Sequence, residues 1–553
     1  MPSLKEFMPK GYITSAILMS IGGFLNGYDT GSIGAITESP FFLSAIGPLS
    51  PFMRGFAVSI IMLMGAVPSV FAGHLADKLG RLPVVVIGAL GYTVGAIVQG
   101  AAKGLPMFLV GRAVCGVAEG MFLSALYVYV TEIAPARSRG TIASMPQFGT
   151  CVGICAGYFT CYGMSRINSS ISWRGPFFIQ AGFSITLAFS GWTIPQSPRW
   201  LLRQGRRDEA LTALDQLNFS RVEAEKDMLS ARQEERAVNQ SIFENYMMIF
   251  KRPYRSSTIL ALFVLGTVQF CGIDGILYYA PTLLAKAGIP GQSASFLASG
   301  LSAILVLFVS IPAFLFADRW GRRTITIFGG VVLSALMLLI GAMYASDSVH
   351  TFGAGKWVVI VSIFAFACTY AATWAVVSKI YSSEILPMQT RAAANSIAQG
   401  FNFFANWLVA LITPILLASS TFGAYFLFGS LTLVIATALA VMMPETRGRS
   451  LESMQEAFQR PVMRSWAFQL RRLLSRATSG RHSGSSEHSH ASGDVIVDTT
   501  GSVESQPGES EADVYEMSGA LAAPEEGSAT TTMEAPPSVN TTTGGLRMEA
   551  TAA

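Results

Sequence analysis

Charged side chains are scarce in this sequence. Only 13% of its 553 residues are Asp, Glu, Lys or Arg, about half the roughly 25% of an ordinary soluble domain. Histidine is rarer still. The group near 482–490 sits in a polar tail without metal-ligand spacing. The six cysteines, Cys115, Cys151, Cys155, Cys161, Cys271 and Cys368, all fall within apolar runs and also lack that spacing. Cys151 and Cys155 share one helical face, where packing is the reading that fits. Nothing resembles a Walker loop, a nucleophile elbow or a zinc motif, so no metal or cofactor is expected and the chain does not read as an enzyme. A net charge of +4, spread over so long a chain, gives no reason to expect a nucleic-acid partner. A cleavable leader is not evident either, since Lys5 and Lys10 precede a first apolar segment long enough to span a bilayer.

What the sequence has in abundance is long apolar runs. Residues of hydrophobic type make up 51% of it, and repeated runs of about 18 or more mark a polytopic membrane protein. Twelve spans are expected, near 13–35, 56–76, 83–101, 107–131, 144–164 and 174–194, then 257–279, 294–316, 325–345, 356–382, 393–418 and 422–443. The stretch Gly73-His74-Leu75-Ala76-Asp77-Lys78-Leu79-Gly80-Arg81 lies between two of these runs. It returns as Ala317-Asp318-Arg319-Trp320-Gly321-Arg322-Arg323, about 240 residues later, the mark of a chain built from two similar halves. The expected layout is a six-helix half over 1–194, a polar connection over 195–255, a second six-helix half over 256–443 and a tail over 444–553. The tail is basic to about Arg481, then rich in Ser, Thr, Gly and Glu, and lacks the apolar content for a core. Connections around Arg81, Arg137 and Arg139, the 199–255 stretch, Arg319–Arg323 and Arg447–Arg449 are basic, whereas the alternate ones carry single charges at Arg54, Lys103, Lys286 and Lys356. Positive charge favours the cytoplasmic side, which would place both termini there. Asn168-Ser169-Ser170 is then a sequon in a short external loop, a weak glycosylation candidate at Asn168, and Asn540-Thr541-Thr542 falls on the wrong side for use.

Several short motifs stand at the expected helix ends, in order: Gly27-Tyr28-Asp29-Thr30-Gly31, the two Asp-Gly-Arg loops, Gly111-Arg112-Ala113, Glu132-Ile133-Ala134-Pro135 with Arg137 and Arg139, Pro195-Gln196-Ser197-Pro198-Arg199-Trp200-Leu201-Leu202, and Pro444-Glu445-Thr446-Arg447-Gly448. On these motifs the chain resembles the sugar porter family of the major facilitator superfamily, most of all its fungal members, over roughly residues 10 to 455. The resemblance implies an all-α membrane protein of twelve transmembrane helices in two pseudo-symmetric six-helix halves, the major facilitator fold, with one central cavity and alternating access.

A carboxylate inside a spanning helix is expensive and commonly marks a proton or ion site. Asp29 is such a residue, with Arg112 early in span 4 as a candidate partner. In proton-coupled members of the resembling family, an Asp at this motif position takes up the proton and an Arg answers it, so that protonation releases the arginine; a static structural pair is the alternative. Asp77 with Arg81, and Asp318 with Arg322, lie at helix ends where ion pairs would latch the cytoplasmic face. Glu132 with Arg137, and Glu384 with Arg391, occupy equivalent points in the two halves. The resemblance implies that these carboxylates pair with the loop arginines in the outward-facing state and separate on rocking; ordinary topology signals at the headgroups are the alternative.

The resemblance also implies a sugar site, and here the chain departs from the pattern. Gln147 in span 5, Gln269 in span 7, and Asn402 and Asn406 in span 11 match. Val268 replaces the first of two glutamines, Asp274 stands where the family has Asn, and Val306 replaces an Asn in span 8. In span 10 the family's Gly-Pro-x-x-Trp becomes Ala375-Val376-Val377-Ser378-Lys379, so Lys379 takes the tryptophan position. Losing the Gly-Pro removes a helix break. Two interior charges, Asp274 and Lys379, are not kept in a bilayer protein without a use. They would pair with each other, or Lys379 would face a carboxylate on the solute, or it would snorkel to an interface. The expected function is proton-driven symport of a sugar or sugar-like solute at the plasma membrane, with protons and the lipid bilayer as the other partners. Transport or export of an acidic or secondary metabolite, and a non-transporting nutrient sensor signalling through the tail, are the alternatives.

Overall fold

A computed structural model describes residues 11–135, 139–219, 246–289, 292–316, 321–349, 353–387 and 390–445. Arg137, Asp318, the side chain of Arg391 and the tail beyond Glu445 lie outside the described residues. Each of the twelve expected spans meets a helix. Spans 1 to 6 are Gly11–Thr37, Pro51–Leu79, Arg81–Gly100, Leu105–Glu132, Met145–Met164 and Ile171–Thr193. Spans 8, 9, 11 and 12 are Gln292–Phe316, Arg322–Ala345, Arg391–Ser419 and Gly423–Met442. Among the described residues nine helices are long and apolar enough to cross a membrane by composition. Span 1 falls short of that mark because Asn26, Asp29 and several Gly and Ser residues dilute its apolar run. No strand occurs among the described residues, as expected where every backbone N–H must be satisfied within its own segment.

Two spans are interrupted. Span 7 runs as Arg252–Thr267, a tight turn over Val268–Cys271, then Ile273–Tyr278 and Ala280–Lys286. Span 10 divides into Ala354–Ala372 and Trp374–Ile385, with Thr373 at φ −120°, ψ −81° between them. The loss of Gly-Pro therefore does not remove the break in span 10, contrary to the expectation from sequence. Thr373 Oγ1 donates to the Thr369 carbonyl at 2.6 Å, the local back-bonding that bends helices at threonine. Trp374 Nε1 donates to the Thr326 carbonyl of span 9 at 2.8 Å and fixes the second segment.

The repeat read from the loops recurs in the packing. In the first half span 1 lies against spans 5 and 6, span 4 against spans 2 and 3, and span 3 against span 6. In the second half span 7 lies against spans 11 and 12, span 10 against spans 8 and 9, and span 9 against span 12. Adding six to each number turns one set into the other. The joint between the halves keeps the same symmetry, with span 2 against span 11 and span 5 against span 8. Close approach within the first half explains the Gly27-x-x-x-Gly31 pattern: a Cβ at Gly27 would stand 2.0 Å from the Thr150 carbonyl of span 5. Small residues at such spacing let membrane helices meet backbone to backbone. Between spans 2 and 3, Gly80 takes φ 101°, and its N–H closes span 2 on the Ala76 carbonyl at 3.1 Å. That conformation is open to glycine without strain, and it is the tight turn of the repeated loop.

Candidate functional site

The first polar group lies inside the N-terminal half. Arg112 Nη1 in span 4 donates to Asp29 Oδ1 in span 1 at 2.6 Å, with Asp29 1% and Arg112 0% exposed. Arg112 also donates to the carbonyls of Ala57 and Val58 in span 2, at 3.2 and 2.5 Å. Gln180 Nε2 in span 6 reaches the same Asp29 oxygen at 3.3 Å. A buried ion pair is tolerable only when further hydrogen bonds satisfy its remaining atoms, and spans 2 and 6 supply them here. Asp29 Oδ2 remains buried without a hydrogen-bond partner. It is a free acceptor on a carboxylate in the bilayer interior, the chemistry a proton would complete.

The second polar group lies between the halves. Lys379 Nζ in span 10 donates to Gln147 Oε1 of span 5 at 2.5 Å and to Tyr127 Oη of span 4 at 3.0 Å, and stands 4.8 Å from the Tyr127 ring centroid. It therefore faces the opposite half rather than snorkelling to an interface. Among the described residues it makes no salt bridge with Asp274. Asp274 in span 7 is 7% exposed and has the Asn406 amide as its hydrogen-bonding neighbour, with Oδ2 unpartnered. Gln269 Nε2 donates to Asn402 Oδ1 at 3.4 Å, Tyr370 Oη donates to Gln269 Oε1 at 3.5 Å, and Asn402 Nδ2 is held by the Leu265 carbonyl at 2.6 Å. The structure thus groups the expected site residues into three sets: Gln147 with Lys379, Gln269 with Asn402, and Asp274 with Asn406. Val306, in place of an amide, packs with Cys151, Ala367 and Ala371 in a small apolar cluster. A cavity beside Gln147, lined also by Phe148, Ser310, Phe314 and Ala375, has a volume of about 10 Å³, room for about one water molecule. In this conformation that cavity holds no hexose-sized solute.

The third set of groups lies at the two ends of the bundle. Arg81 donates to both Glu132 carboxylate oxygens, with Nη2 to Oε1 at 2.9 Å, and pairs with Asp77 at 2.8 Å. Its counterpart Arg322 pairs with Glu384 at 3.2 Å. Both pairs lie within a half, tying the repeated loop to the end of span 4 or span 10. The Pro444-Glu445 motif has a local reason: Glu445 accepts the backbone N–H groups of Arg322 and Arg323 at 2.9 and 3.2 Å, capping the start of span 9 where a carboxylate is most favourable. From the connection before span 7, Tyr246 Oη donates to the Val70 carbonyl of span 2 at 2.6 Å. At the opposite end Arg54 Nη2 donates to Glu38 Oε1 at 2.5 Å and to Thr282 Oγ1 at 3.2 Å, and Thr282 also donates to Glu38. Tyr158 Oη donates to the Leu277 carbonyl there. Spans 1, 2 and 5 are thereby tied to span 7, so polar contacts join the halves at this end. Asn168 lies exposed in the connection between spans 5 and 6.

Reasoning from the sequence missed Glu119, Asn26, Gln180, Tyr127, Glu38 and Thr282. Glu119 carried the same signal as Asp29, a carboxylate inside an apolar run. The others carried none, because an amide, a tyrosine or a charge at a helix end is ordinary in sequence.

A family model described as Sugar (and other) transporter matches residues 15–458. The chain is 30% identical over 442 residues to the glucose transporter GlcP of Staphylococcus epidermidis, covering 79% of this chain and 95% of the relative. It is 29% identical over 449 residues to the arabinose-proton symporter of Bacillus subtilis, covering 79% and 92%. Among solved structures, the major facilitator proton:xylose symporter XylE bound to 6-bromo-6-deoxy-D-glucose matches with a TM-score of 0.68 at 21% identity, over 81% of this chain and 99% of that one, a likeness of fold. The protein, with its repeated six-helix halves and the family model spanning them, belongs to the sugar transporter family of the major facilitator superfamily.

Proposed function

We propose that the protein is a proton-coupled symporter of a sugar or sugar-like solute, working by alternating access of a site between its halves. The observation that carries the reading is the Asp29–Arg112 pair, fully desolvated within the spans yet leaving one carboxylate oxygen unpartnered. Protonation of Asp29 releases Arg112 to its span 2 carbonyl partners, a local charge change that biases the packing of spans 1 and 4. Names of relatives such as the arabinose-proton symporter support the same coupling. Gln147, Gln269, Asp274, Lys379, Asn402 and Asn406 form the solute site in this reading. Asp77, Arg81, Glu132, Arg137, Asp318, Arg322, Glu384 and Arg391 govern opening at the basic end, and the Glu38–Arg54–Thr282 network governs the other. The basic end faces the cytoplasm, the membrane is the plasma membrane, and the domain limits are 1–194, 195–255, 256–443 and 444–553.

Uptake of a labelled panel tests this, with D-glucose, D-xylose and L-arabinose beside organic acids, in a transporter-deficient host with and without a protonophore. Protonophore-sensitive accumulation of a neutral sugar is expected. A second reading, an acidic solute, is favoured by Lys379, a cation at the joint that has no carboxylate partner among the described residues. Uptake of acids alone replaces the first reading with the second.

A further inference from the structure

The polar cluster around Asp29 holds one arginine and two carboxylates. Glu119, in span 4, is 1% exposed. Asn26 Nδ2 donates to its Oε1 at 2.5 Å, and its Oε2 is buried without a hydrogen-bond partner. The charged and titratable groups that face it are Asp29 from span 1, Arg112 and Cys115 from its own helix, Tyr92 from span 3 and Tyr278 from span 7. Arg112 is the one cation in that set, and it is already engaged by Asp29.

Charge balance in a dry environment decides the outcome. Two ionised carboxylates over one guanidinium leave a net negative charge without a counter-ion in the bilayer interior, which is strongly unfavourable. The cluster therefore keeps one carboxylate neutral. Geometry decides which. Asp29 accepts from a guanidinium and an amide, whereas Glu119 accepts from one neutral amide. Charge-assisted hydrogen bonds favour the ionised form far more than neutral ones do, so while Asp29 is paired the neutral group is Glu119.

We propose that Glu119 is a second proton-binding site and that Glu119 and Asp29 hold a single proton between them. When a proton arrives at Asp29 Oδ2, the charge of Arg112 is left unanswered, and Glu119 answers it by releasing its own proton. The cluster passes from ionised Asp29 with neutral Glu119 to neutral Asp29 with ionised Glu119, its total charge and proton count unchanged. One proton has entered at Asp29 and one has left at Glu119. Glu119 lies seven residues beyond Arg112 in span 4, about 10 Å of helix rise nearer the end that carries Glu132. The exchange therefore advances a proton along the bundle. Asn26, only partly buried, stands at the Glu119 side of the cluster. The relay rests on the proton-coupled reading given above, but the shared proton is testable apart from it.

Infrared difference spectroscopy of the purified full-length chain in lipid tests the proposal without any solute. At neutral pH the native chain should show the carbonyl stretch of a buried, protonated carboxylic acid that is missing from Glu119→Gln. The same band should be lost from Asp29→Asn, where Glu119 ionises to answer Arg112. A native spectrum without that band overturns the proton site, and Asp29→Asn retaining the band in full overturns the sharing. A band that changes when sodium is exchanged for choline identifies a metal cation as the ligand and overturns the proposal too. If Glu119→Gln does not accumulate, heavy-carbon glutamate in the native chain should shift the band, and failure to shift it counts against Glu119. In proteoliposomes Glu119→Gln should keep exchange of the transported sugar while uphill accumulation falls to the exchange level; unaltered accumulation overturns the relay. A native chain that shows the band yet drives none of D-glucose, D-xylose or L-arabinose uphill defeats the transport reading and leaves the proton site standing.

Discussion

Lys379 Nζ reaches across the joint between the two halves and donates to Gln147 Oε1 at 2.5 Å. A cation from span 10 thus occupies the amide of span 5 that the resemblance assigns to solute hydroxyls. Any solute that uses Gln147 must first displace Lys379 or be recognised by it.

Replacing Lys379 with Trp should therefore shift preference toward neutral sugars. Hydrogen bonds to a charged group contribute roughly 1.5–3 kcal/mol, so an acidic solute read by Lys379 should lose affinity by about ten- to a hundredfold. Competition of labelled solute uptake by hexoses and by sugar acids reads the change. An unchanged ranking makes Lys379 a structural tie between the halves.

Removing Arg112 alone should cost far more than removing both members of the buried pair. Arg112→Met leaves Asp29 as an uncompensated buried charge and should lose roughly 3–5 kcal/mol of stability. Adding Asp29→Asn to that variant should restore most of it, as measured by thermal unfolding of the detergent-solubilised chain. Asp29→Asn alone should abolish uphill accumulation and spare exchange. Unchanged accumulation would falsify its coupling role.

Gly27→Ala should disturb the contact between spans 1 and 5, because its Cβ would lie 2.0 Å from the Thr150 carbonyl. Overpacking of this kind costs typically about 1–3 kcal/mol. The comparison substitution is Gly163→Ala, where a Cβ meets nothing within 4 Å. Equal thermal stability of the two variants would remove the close-packing explanation of the glycine motif.

The Glu38–Arg54–Thr282 network should hold one end of the joint closed. Arg54→Gln should raise the labelling rate of Ala280→Cys, two residues before Thr282 in the chain and 5% exposed, by a membrane-impermeant maleimide. The rate is read against the chain without that cysteine. A combined Glu38→Gln, Arg54→Gln chain should add little to either single change, since both break the same contact. Additive effects would mean the two residues act separately.

Much of the architecture was legible because hydropathy is a local property. Each expected span met a helix, and the repeated Asp-Gly-Arg loop announced a symmetry that recurs in the main helix pairings of both halves. Asp29 and Arg112 stood out for the same reason, as charges with no place in an apolar run. The break in span 10 was misread because Gly-Pro is not the only device that interrupts a helix. Thr373 back-bonds to Thr369 while Trp374 is anchored on span 9, and that second contact is tertiary.

The sequence by itself determined that this chain lies in a bilayer, how many times it crosses, that its halves repeat and which family it resembles. Those properties follow from runs and motifs within a few tens of residues. Only the tertiary structure decided who meets whom. Arg112 and Asp29 are 83 residues apart, Glu119 and Asn26 are 93 apart, and Lys379 and Gln147 are 232 apart. Such pairs meet because whole helices pack in one register, set by small residues and backbone contacts along their length. A buried charge acquires its partner from that register, not from its neighbours in the chain.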